Sequence, residues 1–380
     1  MSVWEELVGQ EHAIDLFKAA VADPRLLAHS WLITGPPGSG RSNLAYAFAA
    51  ALVCKHGGCG TCPECRQIAA RTHPDLSSLA TERVIISIDE VRALVQSAQF
   101  GPSVSRYRVV VIEDADRMVE RTSNVLLKAL EEPPEGTIWI LCAPSEADLL
   151  PTIRSRVRSV RLIVPSIESV AGLIVSRTGA DPEMAERAAR HAQSHVGMAT
   201  RLATNDVAAA RRDETVRLAL STHNVRDAVM AAARLLEIAT DDAKAITEER
   251  DAAELEQTRY TLGLNPGEAV PANMRSQFRS LEEQQKRRET RSLRDGLDRI
   301  LVDLHSVYRD VLRIQLGATD DLINLEYQDD LVRVAGSMSP DDVLAVSDAI
   351  ASARERISRN VSPVLALEAL LVTAIPRQVA

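Results

Sequence analysis

The sequence predicts an α/β domain built on a parallel sheet, followed by helices for the rest of the chain. Three observations predict it. Residues 1–165 alternate short apolar runs with helical patterns, the order that builds a parallel sheet. A glycine-rich loop joins one of these runs to a helical stretch. From about residue 211 onward, apolar residues recur only at helical spacing.

The clearest strands are Trp31-Leu32-Ile33, Val109-Val110-Val111-Ile112 and Ile138-Trp139-Ile140-Leu141. Each is a continuous apolar run, as expected of strands buried on both faces. Residues 166–210 read as short helices broken at Gly179-Ala180-Asp181-Pro182 and at Gly197. In the third region, Leu293, Leu297, Ile300, Leu301, Leu304, Val307, Tyr308, Val311 and Leu312 fall on one helical stripe. Ser339-Pro340-Asp341-Asp342 predicts a helix start, with a Ser cap, Pro in the first turn and acids behind it. Gly263 to Ala272 reads as a loop, and the charged run from Leu281 to Arg294 as a solvated helix face.

A chain of 380 residues predicts two or three domains. The hydrophobic and charged fractions, 46% and 26%, are those of a globular protein. With only 3% aromatics, the packing should rest on small aliphatic side chains. A net charge of −9 argues against a free-standing DNA binder, which needs a basic face for phosphates. Met1 to Gln10 carries no signal-peptide pattern, and no run is long and apolar enough for a membrane. A cytoplasmic protein without membrane contact is expected.

Gly35-Pro36-Pro37-Gly38-Ser39-Gly40-Arg41-Ser42 lies between the strand at 31–33 and a helical stretch from Asn43 to Leu52. Strand, glycine-rich loop and helix form the context of a phosphate-binding P-loop. Gly35, Gly38 and Gly40 would let backbone N–H groups converge on phosphate oxygens, and the helix N-terminus adds positive charge. Ser42 sits where a hydroxyl would hold Mg²⁺. A working loop has Lys at the position of Arg41, and Arg is bulkier, planar and not interchangeable there. ATP or ADP binding and a purely structural turn therefore both remain open. The strand at 109–112 leads into Glu113-Asp114. A hydrolytic site has Asp for the metal and then Glu for the attacking water. Here the order is reversed, which misplaces both groups. Positioning errors of about 1 Å cost roughly a hundredfold in rate, so hydrolysis by this site is not expected.

Four of five cysteines, Cys54, Cys59, Cys62 and Cys65, fall within twelve residues. In a reducing compartment such a cluster reads as a metal site, and four thiolates close a structural Zn²⁺ site with no open position. His56 or His73 are alternatives to Cys54 as the fourth ligand. Cys142 lies on a predicted buried strand and reads as a small core residue.

Ser123-Asn124-Val125-Leu126-Leu127-Lys128-Ala129-Leu130-Glu131-Glu132-Pro133-Pro134 closely resembles a signature of bacterial DNA polymerase III clamp-loader subunits. Leu7-Val8-Gly9-Gln10-Glu11-His12 is similar to the family's opening box. Thr152-Ile153-Arg154-Ser155-Arg156-Val157 is similar to its Ser-Arg-Cys motif, with Val157 in place of the cysteine. Asn360 to Glu368 is similar to a helix start in the family's last domain. The resemblance implies a RecA-like AAA+ domain over 1–165 with a zinc module at 54–65, a small helical lid over 166–210 and an oligomerising helical collar over 211–380. It implies tau/gamma and delta clamp-loader subunits as partners, with the sliding clamp and primer-template DNA reached through the assembly.

The resemblance also assigns roles. Arg156 would reach the ATP of a neighbouring subunit, as an arginine supplied in trans stabilises the transferring phosphoryl group. The family's ATP-hydrolysing members carry Thr at the position of Ala143 and Arg shortly after a glycine matching Gly197, where this chain has Met198, Ala199 and Thr200 before Arg201. Arg41, Glu113-Asp114 and Ala143 together fit a non-hydrolysing member. An ATP-hydrolysing tau/gamma-type subunit is the alternative, followed by a helicase loader or chaperone adaptor and by a scaffold without catalytic contribution.

Overall fold

Five strands form one sheet in the order β2-β3-β4-β1-β5, with every neighbouring pair parallel. The structure is a computed structural model and describes all residues except 1, 6, 82–83, 263, 265–267, 269, 272–273 and 377–380, with the side chain of residue 249. Most of the predicted loop at 263–272 lies outside the described residues. The chain divides into two units, Met1–Thr204 and Asn205–Ala380.

The first unit runs α1 (Glu11–Ala22), β1 (Ser30–Thr34), α2 (Arg41–Val53), α3 (Pro63–Ala69), β2 (Leu76–Leu79), α4 (Ile88–Ala98), β3 (Arg108–Ile112) and α5 (Glu120–Glu131). It continues with β4 (Thr137–Ala143), α6 (Pro151–Arg154), β5 (Arg158–Arg161), α7 (Ile167–Thr178), α8 (Pro182–His191) and α9 (Val196–Thr204). The central strands alternate between two cores. Trp31, Ile33, Val109, Val111, Ile138 and Ile140 join Phe17 of α1 and Phe48 of α2. Leu32, Val110, Ile112, Trp139 and Leu141 join Val91 of α4 and Leu126 of α5. All residues of β1 and β4 are buried, which is why both read as unbroken apolar runs. Burying each such side chain contributes about 1.5–3 kcal/mol.

The helices of the first unit carry their own boundaries. Ser87 and Glu90 form a reciprocal capping box at the start of α4. Gly179, at φ +68°, ends α7, and Asp181 with Pro182 starts α8. The predicted break at Gly197 is displaced. Gly197 lies in the first turn of α9, and the chain turns instead at Gln193 and Ser194, with φ of +49° and +63°. Two non-glycine residues in the left-handed region leave no sequence signal for that turn.

The second unit contains α10 (Asp206–Leu220), α11 (Val225–Thr261), α12 (Arg275–Gln315), α13 (Gln328–Ser337), α14 (Pro340–Ser358) and α15 (Pro363–Thr373). The stripe from Leu297 to Val311 is its centre, packed on Leu235, Ile238, Val346, Ile350, Leu367 and Leu371. Ser339 caps α14 through a capping box with Asp342. The charged run at 281–294 is only partly solvated. It belongs to α12, and Arg288 turns inward to pair with Asp251 and with Glu254 of α11, the latter at 3.0 Å. Among the described residues no helix is long and apolar enough to cross a membrane.

Candidate functional site

The glycine-rich loop leaves the carboxyl end of β1, whose neighbours are β4 and β5. Ligands in open α/β sheets bind at such carboxyl ends. Gly38 and Gly40 take φ of +81° and +90°, a region nearly closed to other residues, and Gly40 caps α2. Gly35 donates its N–H to the Pro144 carbonyl at 3.2 Å. Ser42 stands in the first turn of α2. Arg41 does not project from the loop. Its guanidinium folds back and donates to the Gly35 carbonyl.

The two acids after β3 part company. Glu113 accepts a hydrogen bond from the Tyr46 hydroxyl at 2.8 Å and pairs with Arg71 at 3.2 Å. Burial, then the Glu113 charge, pushes the Tyr46 phenol well above its ordinary range. Asp114 adopts φ +51° and lies 3.6 Å from Arg117. Burial raises the Asp116 carboxyl, aided by Asp114 and opposed by Arg117 and Arg41. Burial likewise raises the Cys142 thiol, which feels Glu113, Arg41 and Asp114. The fold thus gathers Arg41, Glu113 and Asp114 around the base of the loop. Ala143 ends β4, fully buried, and Arg201 lies on α9.

Sequence reasoning missed His195. A Cβ built on Gly38 would fall 2.1 Å from the His195 Cγ, so the imidazole lies directly on the loop. Its Nδ1 accepts the Met198 N–H at 3.2 Å, near the start of α9. The only sequence signal was a histidine two residues before Gly197. These residues do not fit a magnesium nucleotide poised for hydrolysis. The loop cation is turned onto its own backbone, Glu113 is held by Tyr46 and Arg71, and a ring sits against Gly38.

The cysteines come together. The Sγ atoms of Cys54, Cys59, Cys62 and Cys65 all lie within 4.8 Å of one another. Cys54 is 3.8 Å from Cys59 and 3.6 Å from Cys62. A tetrahedron with Zn–S bonds of about 2.3 Å has sulfurs roughly 3.8 Å apart, so the donor set fits a four-thiolate zinc. Cys54 stands with the other three, although only four residues separate it from Cys59. The knuckle is built from Gly57, Gly58 and Gly60, all at positive φ. Val3 bonds the Gly58 carbonyl at 3.1 Å and Trp4 Nε1 the Gly57 carbonyl at 3.3 Å, which ties the N-terminal segment to the knuckle.

Arg156 follows α6 on an open cleft that also includes His29, Glu131, Ser155 and Arg158. Its Nε and Nη2 reach Glu131 Oε1 at 2.7 and 2.5 Å. Its Nη1 donates to the Thr152 carbonyl at 2.7 Å and to Ser155 Oγ at 3.0 Å. The side chain remains 34% exposed.

A family model described as DNA polymerase III, delta subunit, matches residues 9–165. DNA polymerase III subunit delta' of Pseudomonas aeruginosa is 42% identical over 139 residues, covering 34% of this chain and 41% of that protein. The corresponding delta' subunit of Escherichia coli K12 is 35% identical over 155 residues, covering 39% and 46%. A gamma/tau subunit of Mycobacterium bovis is 31% identical over 185 residues, covering 45% of this chain and 32% of that protein. The chain thus spans less than half the length of these curated relatives. The matched segment is the one that carries the parallel sheet, the loop, the cysteine knuckle and Arg156. Residues 9–165 of this chain are thus similar to the DNA polymerase III delta-subunit family.

Proposed function

We propose that this chain is a delta-prime-type subunit of a bacterial DNA polymerase III clamp loader. It helps place the sliding clamp on primed DNA, leaves ATP hydrolysis to a neighbouring tau/gamma-type subunit, and supplies Arg156 to that neighbour's ATP. The observation that carries the reading is an asymmetry. The phosphate loop is occupied by the chain's own groups, whereas Arg156 stands in an open cleft.

Residues 166–210 serve as the lid and 211–380 as the collar through which tau/gamma and delta subunits assemble. Zinc at Cys54, Cys59, Cys62 and Cys65 is structural, since four thiolates leave no open coordination position. The work belongs in the cytoplasm, where replication proceeds.

The test uses the loader assembled from this chain with tau/gamma-type and delta-type subunits. Arg156→Ala should leave the chain folded and lower ATP turnover by about 10³-fold at the site it serves, the lower end of what a trans arginine contributes. Unchanged turnover would remove the reading. The 31% identity to a gamma/tau subunit favours an ATP-hydrolysing subunit as second reading. Steady ATP hydrolysis by the isolated chain would establish that one instead.

A further inference from the structure

Arginine has five N–H donors. In Arg156 three of them are hydrogen-bonded, that of Nε to Glu131 Oε1 and the two of Nη1 to the Thr152 carbonyl and Ser155 Oγ. Nη2 forms an ion pair with the same Glu131 oxygen. Each edge of the guanidinium, Nε with Nη2 or Nη1 with Nη2, thus has at least one N–H already engaged. Recognition of a phosphate by an arginine fork needs two parallel N–H groups. Arg156 therefore cannot present a fork to a phosphate while Glu131 keeps hold of it.

The two sets of contacts differ in kind. Thr152 and Ser155 lie within four residues of Arg156 and travel with it. Glu131 comes from the last turn of α5, where a carboxylate faces the negative end of the helix dipole. Arg156 relieves that repulsion. Both members of the pair are substantially exposed, at 34% and 45%. An exposed pair of this type is weak and screened by salt. A polyphosphate brings more negative charge than one carboxylate and can replace it. The bond is strong enough to bias the arginine and weak enough to be exchanged.

We propose that Glu131 is a positioning residue that holds Arg156 retracted on this chain's own surface until a partner's phosphate displaces it. The inference rests on the reading of Arg156 as a finger in trans. It makes the finger conditional: an assembled loader idles until the neighbour's nucleotide is pressed into the cleft.

The experiment measures ATP turnover by the assembled loader, first without and then with clamp and primed DNA. Glu131→Gln keeps an oxygen acceptor in place and removes the charge. It should raise the basal rate roughly two- to five-fold, the factor an exposed pair supports, with little change in the stimulated rate. Glu131→Asp should return the basal rate toward wild type. The double variant Glu131→Gln/Arg156→Ala should be as slow as Arg156→Ala alone, because the carboxylate acts only through the arginine. A basal rate that is unchanged or lowered by Glu131→Gln overturns the inference. So does a double variant that keeps the increase, which would place Glu131's effect elsewhere. If Arg156→Ala slows turnover but Glu131→Gln changes nothing, this inference fails and the finger reading stands. If Arg156→Ala changes nothing, both fail.

Discussion

Single residues set this glycine-rich loop apart from the sequence pattern of a hydrolytic phosphate loop. Arg41 and the Glu113-Asp114 order were legible, because their chemistry depends on residue type at a known offset. Their partners were not. Tyr46, Arg71 and His195 reach the site from α2, from the turn after α3 and from the segment before α9, and nothing local announces that convergence. A second residue-scale cluster was also illegible. Asp303 of α12 lies beside Arg212 at 3.4 Å, and Arg212 also donates to Asn324 at 2.7 Å. Burial is the largest influence on Asp303 and lifts its carboxyl to about 6 from 3.8, against the pull of Arg212. A carboxyl raised in the folded state contributes stability that is present below pH 3.8 and lost as pH rises through about 6. That difference corresponds to roughly 3 kcal/mol at most. Asp303→Asn should remove this descending limb. Denaturant midpoints measured from pH 4 to pH 7 should fall for the wild type and show a shallower trend for the variant. Any constant offset from leaving Arg212 without its carboxylate partner does not affect the comparison of slopes.

At the scale of elements, legibility followed burial. β1, β3 and β4 were readable because buried strands are apolar throughout. β2, Leu-Ser-Ser-Leu, and β5, Arg-Ser-Val-Arg, were not, because as the edge strands each buries at most one side chain. Edge strands accept polar residues, so their composition resembles loop. The start of α14 was readable from its cap, whereas the full length of α11 and α12 was not, since their distal halves hold each other through ion pairs such as Arg288 with Glu254. The cysteine knuckle is the element most dependent on something beyond the chain. Four thiolates packed together repel one another unless a cation sits among them. Metal analysis of the purified chain should find a single zinc. Cys62→Ser, or a strong chelator, should remove it and lower the melting temperature of the first unit by several degrees. The sheet should survive, because only the core with Phe17 and Phe48 includes Cys54 and Cys65, while the core on the other face contains none of the four cysteines.

At the scale of the whole molecule, the N-terminal fold and family were legible from motifs spread over the first 165 residues. The all-helical character of the second unit was legible from periodicity alone. The division between Thr204 and Asn205 was not, since helix follows helix there without a change in composition. The strand order has a consequence for how the chain comes into being. β1 is made early, yet its two neighbours are the last strands of the sheet, ending at Ala143 and Arg161. At about 5–20 residues per second on the ribosome, β1 waits for roughly 5–25 s before its last partner appears. Until β4 is made, Trp31, Leu32 and Ile33 have neither neighbouring strand to lie against, and long-range parallel pairing is intrinsically slow. A nascent chain halted at residue 135 should therefore be protease-sensitive throughout, and one released at Thr204 should resist digestion as a folded unit. The central placement of the first strand of the sheet turns the time taken to make the segment after it into a period of exposure, which β4 begins to close and the arrival of Arg161 completes.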